Sequence, residues 1–103
     1  SFYAPTAFSP NNDGTNDYFY VSGHGVDPYT FVLFIYDRWG NKVFETDKFD
    51  MAYPHKMAWD GTNHGNVIKG DELLPVGAYS WYCSFNDIWG NPRERSGVVN
   101  IVR

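Results

Sequence analysis

The sequence predicts an all-β fold, an immunoglobulin-like antiparallel β-sandwich of about seven strands. Turn-forming glycine, proline, asparagine and aspartate residues recur between short apolar runs at intervals of about 8 to 12 residues. No stretch carries apolar residues at helical spacing over three turns. The chain has 103 residues, and its 4 Trp, 8 Tyr and 8 Phe can fill one core, so residues 1–103 are predicted to be a single domain. A small barrel is the structural alternative.

The first third of the chain is predicted to contain two strands around a polar loop. Residues 2–8 are apolar but interrupted by Pro5, which suits an edge strand because proline cannot donate to a ladder. Residues 9–17 are rich in turn formers and are predicted to be a loop. Residues 18–21 then read as a short strand that ends at the glycines of residues 22–25.

The middle of the chain predicts a well-covered strand followed by a hairpin. Residues 29–36 are apolar on both alternating faces, as expected of a strand inside a sheet. Residues 37–41 have aspartate at the first turn position and glycine at the fourth, which fits a type I turn with a left-handed glycine bulge. The hairpin is completed by a strand over residues 42–46.

The last third repeats this arrangement without being a sequence repeat. The pattern Asp-x-Trp-Gly-Asn returns at residues 87–91, between predicted strands over 79–86 and 93–102. In the first of these strands the alternation places Cys83 on the core face, together with two neighbouring aromatic residues. Residues 47–74 form the least regular region, and Trp59-Asp60-Gly61 is its firmest turn signal.

Composition and charge exclude several classes of function. With 8 basic and 12 acidic residues, the net charge of −4 opposes binding to a phosphate backbone, so no nucleic-acid partner is expected. No apolar run approaches the roughly 18 to 20 residues of a membrane helix, so no transmembrane segment is expected. One cysteine cannot form an internal disulfide. The chain lacks an initiator methionine and an export signal at its start, and we expect it to be a segment of a longer protein.

No catalytic constellation emerges from the sequence, and we predict that the domain is not an enzyme. The three histidines, His24, His55 and His64, fall in predicted loops without the spacing that aims two ligands at one metal. Cys83 is predicted to be buried, so it cannot act as an accessible nucleophile. No serine lies in a nucleophile elbow, and no pair of carboxylates marks a cleft.

The loop over residues 9–17 leaves calcium as an open alternative to having no cofactor. Its hard oxygen ligands cluster around a glycine, and the candidate metal ligands are Asn11, Asp13, Asn16 and Asp17. The spacing of an EF-hand is not met, because serine and tyrosine occupy the places of the first and last acidic ligands. The competing interpretation is a turn whose Asx side chains cap its own amides.

Two tryptophans lie at the tips of the predicted hairpins. If Trp39 and Trp89 were exposed, they would offer an interaction surface. The favoured expectation is that each ring folds back over its own hairpin and covers one end of the small core.

Five segments, in order, resemble a known family. Residues 7–17 read AFSPNNDGTND and resemble its opening FSPNGDGxND, and residues 35–44 read IYDRWGNKVF and are similar to its Arg-Trp-Gly hairpin. Further segments match its WDG turn, its LPxGTYxY strand and its closing GxVxIxR, at residues 59–61, 74–81 and 97–103. The chain therefore resembles the gliding-motility-associated C-terminal domain, the type B sorting domain of the type IX secretion system in Bacteroidetes-type bacteria. Asn12 and Ala78 depart from the pattern.

The resemblance implies a non-catalytic sorting signal. Such a domain follows N-terminal cargo domains on the same chain, is recognised by the type IX secretion machinery, and directs the cargo across the outer membrane to the cell surface or the medium. Because the matching turns are dispersed along the chain, we expect the machinery to read a folded surface. The residues predicted to bind this partner are Asn11, Asp13, Asp17, Arg38, Trp39 and Arg103. The alternative function is an adhesive or carbohydrate-binding β-sandwich module that uses exposed aromatic residues and calcium.

Overall fold

A computed structural model describes residues 2–11, 14, 16–53, 58–63 and 71–103. These residues form seven β-strands and one short 3-10 helix. The strands are β1 (Phe2–Tyr3), β2 (Ala7–Phe8), β3 (Ser22–Gly23), β4 (Val32–Tyr36), β5 (Lys42–Thr46), β6 (Gly77–Asn86) and β7 (Pro92–Ile101), and the 3-10 helix spans Pro28–Thr30. The predicted all-β class is confirmed.

Five of the strands make the main sheet, in the order β2-β7-β6-β4-β5. The ten-residue strands β6 and β7 pair along their full length in antiparallel register. On the other side of β6, strand β4 pairs antiparallel with it, and β5 forms the sheet edge beyond β4. The two-residue strand β2 is parallel to the end of β7. Strand β4 therefore lies inside the sheet, as its apolar character predicts.

A second, two-stranded sheet of β1 and β3 gives the molecule its sandwich-like form. The core lies between the two sheets and is built from aromatic side chains. Phe2 of β1 stacks on Phe85 of β6 with ring centroids 5.6 Å apart, and fully buried Trp59 meets Phe8 at 5.4 Å. Along β6 the residues Tyr79, Trp81, Cys83 and Phe85 are all buried, as the alternation predicts.

Both predicted hairpin turns are confirmed. Gly40 and Gly90 each have φ of 84°, the left-handed conformation that the bulge requires and that glycine adopts without steric cost. Asp37 and Asp87, at the first turn position, hold the two turns closed with their carboxylates. Local sequence alone therefore determines the conformation of these two hairpin turns.

The strand predicted at residues 18–21 is wrong. In this segment only Phe19 has a ladder partner, through an isolated bridge to Trp59, and strand β3 follows at Ser22–Gly23, where a turn was expected. Phe19 and Val21 are both buried. The segment thus runs across the core and anchors in it, instead of lying along a neighbouring strand.

The strand predicted over residues 29–36 begins late, at Val32. Pro28 to Thr30 form the 3-10 helix, because proline sets φ for a helical turn and the Asp27 carboxylate accepts the N–H of Tyr29 at 3.1 Å. Tyr29 is 97% exposed as a result. The apolar run in the sequence extends beyond the strand because Tyr29 belongs to a capped turn.

Candidate functional site

The pairing of the main sheet brings four separated segments to one of its ends. Strand β2 ends at Phe8 beside Ile101, the end of β7 lies opposite the start of β6, and β4 ends beside the start of β5. The segments at this end are the loop that begins at Ser9, the turn over residues 37–41, residues 74–77, and Val102 with Arg103. We call them the Trp39 end of the sheet.

The turn over residues 37–41 is a rigid platform for two exposed side chains. Asp37 Oδ1 accepts the N–H of Trp39 at 2.9 Å and that of Asn41 at 2.8 Å. Desolvation acts to raise the pKa of Asp37, but these hydrogen bonds outweigh it and the pKa lies below its usual value. The Trp39 ring is 74% exposed, and the Arg38 guanidinium carbon lies 4.6 Å from its centroid. The guanidinium and the ring thus form a cation–π contact on the exposed surface.

Residues 74–79 face this turn across a shallow cavity of about 160 Å³ lined by Arg38, Trp39 and the facing segment. The Tyr79 hydroxyl donates to the carbonyl oxygen of Pro75 at 2.8 Å and so fixes the segment to β6. Desolvation raises the pKa of Tyr79, and the negative charge of Asp37 adds to this effect, while Arg103 and Arg38 oppose it. The Tyr79 phenol is therefore a neutral, structural donor.

Arg103 also lies at the Trp39 end, where it contacts residue 74. Its Nη1 donates to the carbonyl oxygen of Leu74 at 2.9 Å, and the Leu74 N–H donates to the carbonyl oxygen of Gly61 at 2.9 Å. Val76 and Val102 are exposed beside it and line the neighbouring open surface. Two guanidinium groups and several apolar side chains thus share one end of the sheet, a composition suited to a protein partner.

The turn Trp59-Asp60-Gly61 supports this end from within, which the sequence did not predict. Trp59 is fully buried, and its Nε1 donates to the carbonyl oxygen of Thr62 at 2.8 Å. Gly61 has φ of 83°, and a Cβ at this position would lie 3.1 Å from Pro10 Cγ. This glycine therefore allows the opening loop to pack close to the core. The WDG motif is the available signal, but its residues indicate only a turn.

The opening loop meets the Trp39 end only at its beginning. Pro10 packs near Gly61, whereas Asp17 lines a separate cavity of about 270 Å³ with Tyr3 and Tyr18. Asn11 is exposed. The predicted site residues therefore divide into two groups: Arg38, Trp39 and Arg103 lie at one end, and Asp17 lies beside β1. The prediction for Asp13 falls outside the described residues.

The described part of the opening loop satisfies its own amides. Asp17 Oδ2 accepts the N–H of Gly14 at 2.8 Å, and the carbonyl oxygen of Asn16 accepts the N–H of Ser9 at 2.7 Å. Asn16 has φ of 53°, in the left-handed region that asparagine tolerates. No group of three or more His, Cys, Asp or Glu residues occurs among the described residues. Calcium stays a prediction, because Asp13 lies outside this set.

The other groups considered for chemistry are separated or buried. His24 is exposed, and His55 and His64 lie outside the described residues. Cys83 has no exposed surface, and its burial raises the pKa of the thiol to about 11. A neutral thiol in the core is a packing group, as the sequence predicts.

The expectation that the two hairpin tryptophans fold back over the core is wrong. Trp39 is 74% and Trp89 is 79% exposed. Both rings therefore extend into solvent. The two tips lie at opposite ends of the sheet, which a ten-residue strand separates by roughly 30 Å. They cannot form one continuous aromatic platform.

Comparisons with known proteins found one matching family and similar solved structures. The model of the CHU_C Type IX secretion signal domain family matches residues 2–101, which confirms the resemblance seen in the motifs. No curated protein sequence matches the chain. Among solved structures, the fold is similar to the crystal structure of CopC from Methylosinus trichosporium OB3b, with a TM-score of 0.54 and 21% identity over 82% of this chain and 72% of that chain. Among the described residues, no helix has the length and apolar character to cross a bilayer.

Proposed function

Because this chain belongs to the CHU_C Type IX secretion signal domain family, we propose that it is the C-terminal sorting domain of a longer cargo protein and that the secretion machinery reads it as a folded surface. The domain performs no chemistry of its own. Its partners are the type IX machinery and the cargo domains that precede it on the chain. The cargo is exported across the outer membrane to the cell surface or the medium.

The observation that carries the folded-surface proposal is the convergence at the Trp39 end. Arg38 and Trp39 come from the first hairpin, and Arg103 follows β7, yet both groups border residues 74–79. No linear stretch contains them together. A receptor that requires all three therefore distinguishes a folded domain from an unfolded one, which gives the machinery a test of folding before export.

The chemistry of this end indicates what would bind it. An exposed indole with a guanidinium over its face, with Val76 beside it and Val102 on the neighbouring surface, favours a partner with an apolar patch bordered by carboxylates. Arg103 adds a second cation close by, since its guanidinium bonds to Leu74. We propose Arg38, Trp39 and Arg103 as the first contact set.

Asn11, Asp13 and Asp17 are proposed as a second contact set on the opening loop. Pro10 anchors the start of this loop near Gly61, so the loop leaves the sheet from the same end. Asp17 accepts the N–H of Gly14, so its role would be to shape the loop, while Asn11 lies on the exposed surface of the loop.

A fusion experiment tests the proposed function. The 103-residue domain is joined to the C-terminus of an inert periplasmic reporter that carries its own inner-membrane export signal, in a strain with a working type IX system. We expect the reporter at the cell surface or in the medium, and in the periplasm of a matched strain without the translocon. The Gly61→Val variant is the folding control, because its side chain must displace Pro10 at a left-handed backbone position. A reporter that stays periplasmic with the unchanged domain would contradict the proposal.

A further inference from the structure

Strand β7 has one open edge. On one side it pairs with β6 from Pro92 to Ile101, but on the other it pairs only with β2, at Asn100 and Ile101. The chain before β2 contains Pro5 and leads back to β1, which pairs with β3 in the other sheet. In the part of the chain that the structure describes, no strand therefore covers residues 94–98 of β7.

The backbone groups along this edge point outward in a regular series. The N–H of Asn100 donates to the carbonyl oxygen of Thr6, and that of Val102 donates to Phe8, both on the side away from β6. The pairing of β6 with β7 has no bulge, so the direction alternates strictly along β7. The N–H and C=O groups of Glu94, Ser96 and Val98 thus face away from the sheet, where an added strand would find them.

The charges beside this edge select the chemistry of such a strand. Arg93 and Arg95 lie on one face of β7, about 7 Å apart because they are two residues apart. Arg93 is paired with Asp87 at 3.1 Å. Arg95 Nη1 donates to the carbonyl oxygen of Glu94 at 2.8 Å, and the guanidinium lies 5.9 Å from the Phe2 ring. Among the described residues no carboxylate pairs with Arg95. A carboxylate on an incoming strand would complete that pair, whereas a lysine would be repelled.

We propose that residues 94–98 of β7 receive an extended acidic peptide segment of the secretion machinery as an added strand, with a carboxylate facing Arg95. This inference rests on the proposed function and adds the mode of recognition. The main chain supplies affinity through the N–H groups of Glu94, Ser96 and Val98 and the carbonyl oxygens of Ser96 and Val98, and Arg95 supplies selectivity. The short, charged edge also limits self-pairing, because self-pairing centred on residue 95 would place Arg95 opposite its own copy.

Two synthetic peptides test the edge in solution. The first is a capped octapeptide of alternating valine and aspartate, and the second has lysine in place of aspartate. We expect the acidic peptide to bind the folded domain, measured by calorimetry, and to protect the amides of residues 94, 96 and 98 from hydrogen exchange. Ser96→Pro removes the central outward N–H and should abolish binding, while Ser96→Ala keeps that N–H and should bind normally. Thermal melts establish that both variants fold.

A charge reversal keeps the inference testable even if proline at residue 96 prevents folding. Arg95→Glu should weaken the acidic peptide about fivefold or more, as expected for an opposite-charge cross-strand pair that becomes repulsive, and should bring about binding of the lysine peptide. Equal binding of both peptides to the unchanged domain, or no binding of either, would overturn the proposal. So would a concentration-dependent dimer of the unchanged domain that Ser96→Pro dissolves, because the occupant would then be a second copy.

The reporter fusion distinguishes an error in the proposed strand addition at residues 94–98 from an error in the proposed sorting function. If the unchanged domain is exported and folded Ser96→Pro is retained, with Ser96→Ala exported, the edge is supported. If all three are exported equally, the edge inference is wrong and the sorting function stands. If the unchanged domain itself is not exported, the sorting function fails, and the peptide measurements alone decide whether the edge binds an acidic strand.

Discussion

Asp37 and Asp87 close the two hairpins with the same hydrogen bonds. In each case Oδ1 accepts the N–H of the tryptophan two residues later and of the asparagine four residues later, all between 2.8 and 2.9 Å. The two sites differ in their surroundings. Asp87 is 7% exposed and also pairs with Arg93 at 3.1 Å. The turn aspartate is therefore accessible to solvent in the first hairpin, whereas in the second it is buried and ion-paired.

This difference predicts unequal losses of stability. Asp87→Ala should lower the melting temperature at neutral pH more than Asp37→Ala, because it also leaves Arg93 without its partner. The pKa of Asp87 is lowered, first by the Asn91 N–H, so its stabilisation is present above the ordinary pKa of 3.8 and is lost as the pH falls through the folded-state value. Melts between neutral and strongly acidic pH test this. Equal losses at neutral pH, or a difference that does not shrink in acid, would contradict it.

The backbone of Gly97 packs against the Trp81 ring, so an alanine side chain at this position would crowd the ring. A Cβ at Gly97 would be 3.0 Å from Trp81 Nε1 and 3.1 Å from two further ring atoms. Gly97→Ala should therefore destabilise the domain by about 1–3 kcal/mol, the usual effect of overpacking. Urea denaturation gives the free energy of unfolding, and Ser96→Ala, next to it on the exposed face, is the control with an expected change within about 0.5 kcal/mol. An unchanged midpoint in Gly97→Ala would mean that the ring moves aside freely.

The buried thiol predicts both low reactivity and an alkaline loss of stability. Burial raises the pKa of Cys83 from 9.0 to about 11, so the folded domain should resist iodoacetamide at pH 8 and react once it is unfolded in urea. The neutral thiol favours the folded state below pH 9, and this contribution is lost as the pH rises toward 11. Cys83→Ala should remove that part of the pH dependence. Rapid alkylation under native conditions would contradict the burial.

The hairpins and the core face of β6 could be predicted because their signals are local. A turn of the type found at residues 37–41 needs aspartate and glycine at fixed positions, and period-two alternation identifies the face that includes Cys83. The strand predicted at residues 18–21 failed because the partner of Phe19 is Trp59, 40 positions later. Nothing within the segment encodes a contact at that distance.

The sequence named candidate site residues, but it did not predict how the structure arranges them. The motifs named Arg38, Trp39 and Arg103, and the pairing of five strands sets them at one end of the sheet. The exposure of Trp39 could not be predicted, because the period-two alternation of side chains indicates their direction in strands but not in turns. The support by Trp59 and Gly61 was also missed, since it depends on contacts of residue 61 with residues 10 and 74.

A calcium titration tests the opening loop. Because Asp17 Oδ2 already accepts the N–H of Gly14, we expect the melting temperature to be the same in millimolar calcium as in excess chelator. A ligand of the native state would raise it by mass action. Asp17→Asn is the control, since it removes the charge and keeps an oxygen acceptor. A calcium-dependent rise that Asp17→Asn abolishes would contradict this expectation and restore the metal site at Asn11, Asp13, Asn16 and Asp17.

The two exposed tryptophans provide a matched pair for the proposed recognition surface. Trp39 and Trp89 lie at the tips of hairpins with the same hydrogen bonds and are 74% and 79% exposed, but they lie at opposite ends of the sheet. Replacing either with alanine should change stability by no more than about 0.5 kcal/mol, as for other surface residues. If the machinery reads the Trp39 end, the reporter fused to Trp39→Ala should be retained in the periplasm, and the one fused to Trp89→Ala should be exported normally. Retention of the Trp89 variant alone would place recognition at the other end, and glycan binding lost in either variant would favour the carbohydrate-binding alternative.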